Sequence, residues 1–340
     1  MEQREDVMRQ LVYLGPRRME LQEAPEPVPG PGEVVFQTEA AAVCGSDLHG
    51  FREASPRRIP PLVMGHEGVG TIAAVGEGVD AARVGERVVL KPILACGACE
   101  PCREGRPNLC VNGRLVGREL TGAFAERFVV PVEAVVPISP DVPTDLATLT
   151  EPLANAVHVT SRSVRPGEDV LVIGAGPIGI LMARMALERG ARRAFITDPI
   201  ARRRELARAQ GVTPLEGDDP EAALLEATDG RGADVVIDAA GFEATWALAL
   251  RAVRPGGRIE VVGLGSPGGR IDFFAVAGKE IAVTGSFAWT DRDFGRAARL
   301  IERDAIDTVG WFTTMPLAEG QRAFEELVDT TDRFKVVLVP

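Results

Sequence analysis

A cysteine, a histidine and two glutamates offer the side chains best suited to reactive chemistry. They are Cys44, His66, Glu67 and Glu151, the last of which stands directly before Pro152. Taken singly, each has a simpler explanation: a lone cysteine is usually buried packing, and an acid before proline suits the start of a helix. Together, sulfur, nitrogen and oxygen donors suit a catalytic Zn²⁺ that keeps a position open for water or substrate.

A second cluster places four cysteines in one short stretch with glycine and proline turns. These residues are Cys96, Cys99, Cys102 and Cys110. Four thiolates can close a tetrahedron around Zn²⁺, which is the structural type of zinc site. An iron–sulfur cluster uses similar spacing, and a disulfide or redox pair is a third interpretation. The stretch has no Trp-Cys or βαβ context, so we predict structural zinc.

A glycine-rich turn between a strand and a helix indicates a dinucleotide site. The apolar run Val170–Ile173 predicts a strand, a helix closes at Gly190, and a second strand is expected at Ala194–Thr197. In this context the turn lets backbone approach a pyrophosphate at the helix N-terminus. The turn residues predicted to contact the cofactor are Gly174, Gly176, Pro177, Ile178 and Gly179.

An acid follows the second strand, where a ribose is expected. Asp198 there should accept the ribose hydroxyls and repel a 2′-phosphate, which favours NAD over NADP. Asp198 and Pro199 also form a good helix start, as N-cap and first helical residue. Arg202, Arg203 and Arg204 follow and could meet a phosphate, and we count Arg203 among the predicted cofactor contacts.

The remaining pattern predicts the elements that position these groups. Strand-like runs at Glu33–Thr38, Gly70–Val75 and Arg87–Leu90 indicate an antiparallel, barrel-like region up to about residue 150. Alternating strands and helices then predict a doubly wound parallel sheet. Its further predicted elements are the strands Ala233–Asp238 and Arg258–Val262 and the helix Thr245–Val253. His158 is expected to pack on an apolar helix face. The chain is predicted to close with the helices Arg292–Arg303 and Leu317–Asp329 and the strand Val336–Val339.

Composition limits the classes of partner and compartment. The 340 residues carry a net charge of −11, which argues against nucleic acid and anionic membranes as partners. The stretch MEQREDVMRQ at the N-terminus has no apolar core, so it does not predict a secretory signal. Glycines and Arg184 interrupt the most apolar long run, Val170–Leu187, which is therefore not expected to span a membrane. Clustered cysteines without an export signal suggest a reducing, cytoplasmic location.

These motifs resemble the zinc-dependent medium-chain alcohol dehydrogenase family over nearly the whole chain. The likeness is greatest to the polyol (sorbitol-like) and threonine dehydrogenase branch, whose catalytic loop reads CGSD or CGTD followed by histidine. The resemblance implies one catalytic zinc at Cys44, His66 and Glu67, and one structural zinc in a lobe at about 91–113. Glu151 matches the acid of the family's EP motif, which binds zinc directly in some members and through water in others.

The resemblance also implies a discontinuous α/β architecture. A Rossmann domain with a doubly wound parallel sheet, at 154–288, is expected as an insertion in a β-rich GroES-like catalytic domain formed by 1–153 and 289–340. The family further suggests a homo-oligomer, either a dimer or a tetramer. Many relatives have glycine or serine where this chain has Ala154, and this departure leaves the substrate open.

The resulting hypothesis is reversible oxidation of a small secondary alcohol, namely a polyol or sugar alcohol, with hydride transfer to NAD⁺. Zinc would make the alcohol acidic enough to release its proton. Ser46, the cofactor ribose and His49 could then relay that proton, although a local turn hydrogen bond and a solvent-facing histidine would also explain these residues. Alternative donors are a threonine-type amino alcohol or an aldose, with NADP as the alternative cofactor. A zinc-free quinone reductase and a nucleotide-binding sensor fit the ligand set less well.

Overall fold

The chain divides into two compact units, each described here by itself. The computed structural model describes residues 7–56, 58–330 and 333–340. The first unit comprises Met1–Glu151 and Ala297–Pro340, and the second comprises Pro152–Arg296. The second unit is therefore an insertion into the first. The first six residues of the N-terminal stretch considered above lie outside the described residues.

The first unit begins with short strands joined by turns and three short helices. The strands are β1 Val7–Gly15, β2 Arg18–Pro25, β3 Glu33–Ala42, β4 Leu62–Val63, β5 Glu67–Val75, β6 Arg87–Leu90, β7 Ile93–Leu94, β8 Arg114–Leu115, β9 Arg127–Pro131 and β10 Val135–Pro137. The helices are α1 Gly45–Arg52, α2 Glu100–Arg103 and α3 Thr144–Ala147. Single 3₁₀ turns occupy Ala81–Arg83, Pro107–Leu109 and Val132–Ala134.

The helix α4, Thr150–Ser163, leads into alternating strands and helices. They are β11 Asp169–Ile173, α5 Pro177–Glu188, β12 Arg193–Thr197, α6 Ala201–Arg208, β13 Thr213–Pro214, α7 Pro220–Ala227, β14 Ala233–Asp238, α8 Glu243–Ala252, β15 Val253–Val261, α9 Phe273–Gly278, β16 Ala282–Gly285 and α10 Asp291–Glu302. The six strands pair in the order β13-β12-β11-β14-β15-β16, and every pairing is parallel. This is the doubly wound sheet that the sequence predicts.

The C-terminal segment returns to the sheet of the first unit. It contains β17 Phe312–Pro316, a 3₁₀ turn at Leu317–Glu319, α11 Gly320–Asp329 and β18 Lys335–Val339. The main sheet has the order β10-β6-β5-β3-β18-β17, and β9 also pairs with β3. Because β18 pairs with β3, the last strand lies beside the strand that leads to Cys44.

Some predicted boundaries differ from the structure for identifiable reasons. Asp198 and Pro199 do not start α6, which begins at Ala201 with Ile200 as its N-cap. The Asp198 carboxylate instead accepts two backbone N–H groups, those of Ala175 and Ile200. The interpretation of Asp198 as an N-cap was therefore wrong.

The structure also moves three short segments from their predicted positions. Residues 289–296 belong to the second unit, where Asp293 of α10 hydrogen-bonds His158 of α4 at 2.8 Å. The predicted helix over 317–329 opens with a 3₁₀ turn before α11. Val253 begins β15 rather than ending α8. Among the described residues, no helix is both long and apolar enough to cross a membrane.

Candidate active site

Two neighbouring strands bring the cysteine, the histidine and the glutamate together. Ala42 at the end of β3 pairs with Glu67 at the start of β5. Cys44 lies just after β3 and is the N-cap of α1, while His66 directly precedes β5. The register of this one antiparallel pair therefore places the ligand side chains side by side, although they are separated in the sequence.

The three side chains present one possible metal ligand each within a small volume. The ligand atoms of Cys44, His66 and Glu67 lie within 4.8 Å of one another. His66 and Glu67 are 5% and 1% exposed. The Oε1 atom of Glu67 is buried and has no hydrogen-bond partner in the part of the chain that the structure describes. A buried carboxylate oxygen without a partner is costly unless a cation binds it, so these residues fit a metal ion.

A second set of polar residues orients these ligands. Nδ1 of His66 lies 3.5 Å from Asp47 Oδ1, and its Nε2 lies 3.5 Å from Ser46 Oγ. Arg58 donates to the same Asp47 oxygen at 3.2 Å, and Asp47 Oδ2 accepts the backbone N–H of Cys44 at 3.3 Å. A carboxylate behind a histidine is the usual arrangement that fixes a metal-binding imidazole.

A buried lysine completes the group behind Glu67. Lys335, the first residue of β18, donates to Glu67 Oε2 and, at 3.2 Å, to the carbonyl oxygen of Val43. We use the name Cys44 cluster for Cys44, Asp47, Arg58, His66, Glu67 and Lys335. With Cys44 as thiolate and His66 as neutral imidazole, the forms that bind a metal, the cluster holds three anionic and two cationic groups, so it carries a net negative charge that suits a cation.

The direction of each pKa shift agrees with this electrostatic picture. Burial opposes the charged form of His66, but Asp47 and the Cys44 thiolate outweigh it and raise the pKa of His66 well above its usual value. Burial likewise opposes ionisation of Asp47, yet His66 and Arg58 lower the pKa of its carboxyl. A field that favours a proton on His66 also favours a metal cation at that ring.

The other residues predicted for this chemistry lie around the cluster. Glu151 is 8% exposed at the start of α4, and its charge contributes to the raised pKa of Lys335. It does not belong to the set of ligand atoms within 4.8 Å. Ser46 and His49 both lie exposed on α1. Partial burial of the His49 ring, which disfavours its charged form, and the positive charge of Arg52 lower the pKa of His49.

The four cysteines of the loop also converge. The Sγ atoms of Cys96, Cys99, Cys102 and Cys110 lie within 4.8 Å of one another. Cys99 Sγ is 3.3 Å from Cys102 Sγ and 3.7 Å from Cys110 Sγ, close to the separation of about 3.8 Å that Zn–S bonds of about 2.3 Å give in a tetrahedron. The backbone N–H groups of Ala98 and Cys99 lower the pKa of Cys96 to about 6. All five cysteines are free thiols, which fits a closed structural zinc site.

The glycine-rich turn of the second unit has the geometry of a phosphate-binding loop. Gly174 has a φ of +99°, which other residues rarely adopt, and a Cβ on Gly179 would lie 1.9 Å from the carbonyl oxygen of Gly174. Gly176 is the N-cap of α5 and faces open space. Pro177 and Ile178 begin the helix. The first and third glycines thus allow tight packing, and the second leaves room for a ligand at the helix N-terminus.

Asp198 sits at the end of β12, beside this turn. Its Oδ2 accepts the N–H of Ala175 and its Oδ1 that of Ile200, both at 2.9 Å. Arg203 approaches Oδ2 at 3.7 Å, and Arg204 donates to the carbonyl oxygen of Asp198. The carboxylate is therefore held in place at the glycine turn by two backbone donors.

Three residues of the Cys44 cluster were not selected from the sequence. Asp47 stands within the CGSD stretch and could have been chosen as the partner of a metal-bound histidine. Lys335 is one of three lysines in the chain and directly precedes the apolar run Val336–Val339, which is a signal for a buried charge. Arg58 gave no signal: it packs on Gly50, where a Cβ would lie 2.6 Å from Arg58 Cγ.

The fold and these donor sets define a metal- and dinucleotide-binding oxidoreductase, and comparisons with known proteins agree. The alcohol dehydrogenase GroES-like domain matches residues 30–140, and the zinc-binding dehydrogenase domain matches residues 177–303. L-threonine 3-dehydrogenase from Pyrococcus abyssi is 38% identical over 261 residues, which are 75% of each chain. The chain belongs to the zinc-dependent medium-chain alcohol dehydrogenase family.

Solved structures support the same fold along nearly the whole chain. The alcohol dehydrogenase rspB from Escherichia coli CFT073, complexed with NADH, has a TM-score of 0.91 and 30% identity, covering 98% of this chain and 99% of that one. A zinc-binding dehydrogenase from Sinorhizobium meliloti 1021 bound to NADP has a TM-score of 0.90 and 29% identity, covering 98% and 100%. Family membership makes the chain an oxidoreductase of CH–OH groups that uses zinc and a nicotinamide cofactor.

Proposed function

We propose that the chain oxidises the secondary alcohol of a small L-threonine-type amino alcohol to a ketone, with NAD⁺ as hydride acceptor. The observation that carries the proposal is the buried, net negative Cys44 cluster with an unpartnered Glu67 oxygen. The threonine donor is supported by the activity named for the relative from Pyrococcus abyssi. The polyol donor expected first from the sequence is less well supported by that comparison.

Each candidate site residue of the first unit has a proposed part in this reaction. Cys44, His66 and Glu67 would hold the catalytic Zn²⁺, and Asp47 orients the His66 ring. When bound there, Zn²⁺ supplies a Lewis acid that lowers the pKa of an alcohol. Glu151 is a further ligand candidate, directly or through water, and can alternatively stabilise a positively charged amino group of the substrate.

A path for the alcohol proton begins at α1. Ser46 is an exposed residue whose Oγ lies 3.5 Å from His66 Nε2, so its hydroxyl can accept a proton close to the proposed metal ligands and release its own. His49 is exposed on the same helix, and its lowered pKa favours the neutral imidazole, which can accept that proton and then release it to water. The cofactor ribose is the proposed link between the two residues.

Cofactor choice rests on the carboxylate of the second unit. Asp198 is 7% exposed and is fixed by two backbone donors, so it can accept ribose hydroxyls and repel a 2′-phosphate. Arg203 lies close to it but carries the charge that a 2′-phosphate prefers. We propose NAD as the preferred cofactor, with weaker use of NADP.

The donor and the cofactor are tested with purified protein and a substrate panel. Initial rates of NAD⁺ and NADP⁺ reduction would be measured with L-threonine, sorbitol and other polyols, and glucose. We expect the highest kcat/KM with L-threonine and NAD⁺, and loss of turnover in Cys44→Ala with NAD⁺ binding retained. Faster turnover of a polyol would replace the proposed donor, and a fully active Cys44→Ala variant would contradict the metal site.

The edge of the parallel sheet supports the expected homo-oligomer. All four residues of β16, the edge strand, are exposed, and nearby Phe273 and Phe274 are 73% and 94% exposed. An exposed apolar edge strand is a surface for strand pairing, and we propose that a second copy of the chain covers it. Light scattering should give a dimer or larger, and Phe274→Asp should shift the equilibrium toward monomer; an unchanged mass would contradict this surface.

The cysteine chemistry also bears on the compartment. The proposed structural site needs all of Cys96, Cys99, Cys102 and Cys110 as thiolates, and such thiols persist where glutathione and thioredoxin keep them reduced. We therefore propose a cytoplasmic location. Fractionation that recovers the protein with an oxidised four-cysteine loop would contradict this location.

A further inference from the structure

We propose that Lys335 sets the electrophilicity of the metal centre by offsetting one negative charge of Glu67, so that the ion is held less tightly but activates the alcohol more strongly. This inference rests on the proposed catalytic metal site. It assigns a positioning and charge-setting role to a residue on the last strand of the chain, remote in sequence from all the proposed ligands of that ion.

Three adjacent strands hold the Lys335 side chain at this place. On β18, Val337 pairs with Ala42 of β3, and Ala42 in turn pairs with Glu67 of β5. Lys335 is 4% exposed and Glu67 is 1% exposed. The ammonium also donates to the carbonyl oxygen of Val43 at 3.2 Å. Its position therefore follows from backbone pairing rather than from a flexible surface contact.

The lysine and the proposed metal would act on the two different oxygens of one carboxylate. Lys335 Nζ donates to Oε2 of Glu67. Oε1 is buried and, within the described ranges 7–56, 58–330 and 333–340, has no hydrogen-bond partner. A hydrogen bond from a cation to one oxygen withdraws electron density from the other, so Glu67 becomes a weaker donor toward a metal bound at Oε1.

The charge balance of the Cys44 cluster gives the direction of the effect. With Cys44 as thiolate and His66 as neutral imidazole, three anionic groups face Arg58 and Lys335, and a divalent cation turns the net charge of the Cys44 cluster from −1 to +1. Ionised Glu151, whose charge acts on Lys335, makes both values one unit more negative and leaves the contribution of the lysine charge the same. Without the lysine charge, the same cation would only bring the cluster to zero. A less negative site stabilises the deprotonated substrate better, whereas a more negative site binds the cation more strongly.

Two other roles for Lys335 predict different results. A lysine that merely fills a buried site would change the stability of the protein and leave metal affinity unaltered. A lysine that only holds the ligand in position would, when removed, weaken metal binding by about 10- to 100-fold. A charge-setting lysine would, when removed, strengthen metal binding and slow catalysis.

The chain provides a control lysine in the second unit, where Lys279 is half-buried. Lys279 Nζ donates to the carbonyl oxygens of Leu250, Arg251 and Val253 at 2.9, 3.2 and 3.4 Å. It shares the residue type and the carbonyl contacts of Lys335 but has no place in the Cys44 cluster. Lys279→Met therefore reports the structural cost of losing a lysine without altering the charge of the metal site.

The experiment compares Lys335→Met, Lys335→Gln and Lys335→Arg with Lys279→Met in the full chain. Glutamine keeps a hydrogen-bond donor for Glu67 without the charge, and arginine keeps the charge. Zinc release to a colour-forming chelator is followed for each protein, and the phase missing in Cys44→Ala identifies the catalytic ion. Absorption spectra of the Co²⁺-loaded proteins report the ligand environment, and kcat with NAD⁺ is measured separately.

We expect Lys335→Met and Lys335→Gln to release the catalytic zinc about tenfold more slowly and to lose about tenfold in kcat. Their Co²⁺ spectra should change, while Lys335→Arg and Lys279→Met should stay within about twofold of the unmodified protein. If the methionine variant does not fold, the glutamine variant decides the question.

Unchanged or faster zinc release from the neutral Lys335 variants would overturn the charge-setting role. The proposed function fails in a different way, because it would then be the unmodified protein that lacks a zinc phase dependent on Cys44 or shows no zinc-dependent turnover. Suppose instead that the unmodified protein has a zinc phase dependent on Cys44 and shows zinc-dependent turnover. If its neutral Lys335 variants then behave like Lys279→Met, only the role of Lys335 is refuted.

Discussion

Both units contain buried carboxylates, but the charged groups that surround these carboxylates differ between the two units. In the second unit, Asp169 is fully buried and receives Arg192, Arg193 and Arg231. Asp234 beside it binds Arg231 and Arg254, and we call these six residues the Asp169 cluster. Its cations outnumber its anions, and the excess charge lies on half-exposed arginines that water can solvate. With His66 neutral, the Cys44 cluster of the first unit has more anions than cations, and all its residues except Cys44 are buried.

This difference separates a structural cluster from a site that requires a ligand. In the Asp169 cluster, every carboxylate oxygen has a donor from a side chain or the backbone. In the Cys44 cluster, Glu67 Oε1 has none among the described residues. A buried carboxylate whose oxygens all have donors serves stability, whereas a buried carboxylate oxygen without a donor marks a candidate cation site. The following predictions test this distinction, from the largest expected effect to the smallest.

Cys44→Ala should damage function without damaging the second unit. Loss of the thiolate removes a ligand that Lewis-acid catalysis needs, and several kcal/mol of transition-state stabilisation correspond to a fall in kcat/KM of about a thousandfold or more. Binding of NAD⁺, measured by calorimetry, should stay within about twofold. Weakened NAD⁺ binding together with full turnover would reverse the assignment of the two units.

Asp169→Asn should show the opposite pattern, with stability lost and the metal site kept. Removing one partner of a buried cluster typically costs about 3 to 5 kcal/mol, and water around the half-exposed arginines reduces this to about 2 kcal/mol. Denaturant unfolding measures the loss, with Arg192→Met as the control, expected below about 1 kcal/mol because two arginines remain. An Asp169→Asn variant as stable as the unmodified protein would show that the Asp169 cluster contributes little to the free energy of unfolding.

Asp198→Ala should alter cofactor preference. It should leave both charge clusters intact, since Asp198 belongs to neither. Loss of its charge removes the repulsion of a 2′-phosphate and leaves Arg203 to attract it. The ratio of kcat/KM for NAD⁺ to that for NADP⁺ should fall about tenfold, which corresponds to about 1.4 kcal/mol. A ratio that does not change would remove Asp198 from the ribose site.

The acid limb of the stability curve should depend on Asp169. Burial opposes ionisation of its carboxyl, but Arg193 and Arg192 outweigh it and lower the pKa of Asp169 far below its usual value. The resulting stability is complete above the unfolded-state pKa of about 3.9 and is lost as the pH falls through the lower folded-state pKa. Asp169→Asn should therefore flatten stability against pH below about 4, and parallel curves would contradict this origin.

Local motifs allowed most of the ligand set to be chosen from the sequence, because their spacing follows from one turn or one strand pairing. The four-cysteine loop and the turn at Gly174 are of this kind. Lys335 and Arg58 were missed because they reach the cluster only through the return of β18 and the packing of a loop on Gly50. The predicted helix start at Asp198 was wrong because the Asp198 carboxylate accepts the backbone N–H of Ala175, a residue distant in sequence, instead of capping α6.

Elemental analysis of the purified chain and its Cys44→Ala and Cys99→Ser variants tests the central claim most directly. The structure contains two separate sets of candidate ligand atoms. One set comes from Cys44, His66 and Glu67, and the other comes from the four loop cysteines. We predict two zinc ions per unmodified chain, and one in each variant. An unmodified chain with a single zinc that Cys99→Ser removes and Cys44→Ala leaves in place would contradict the catalytic metal site.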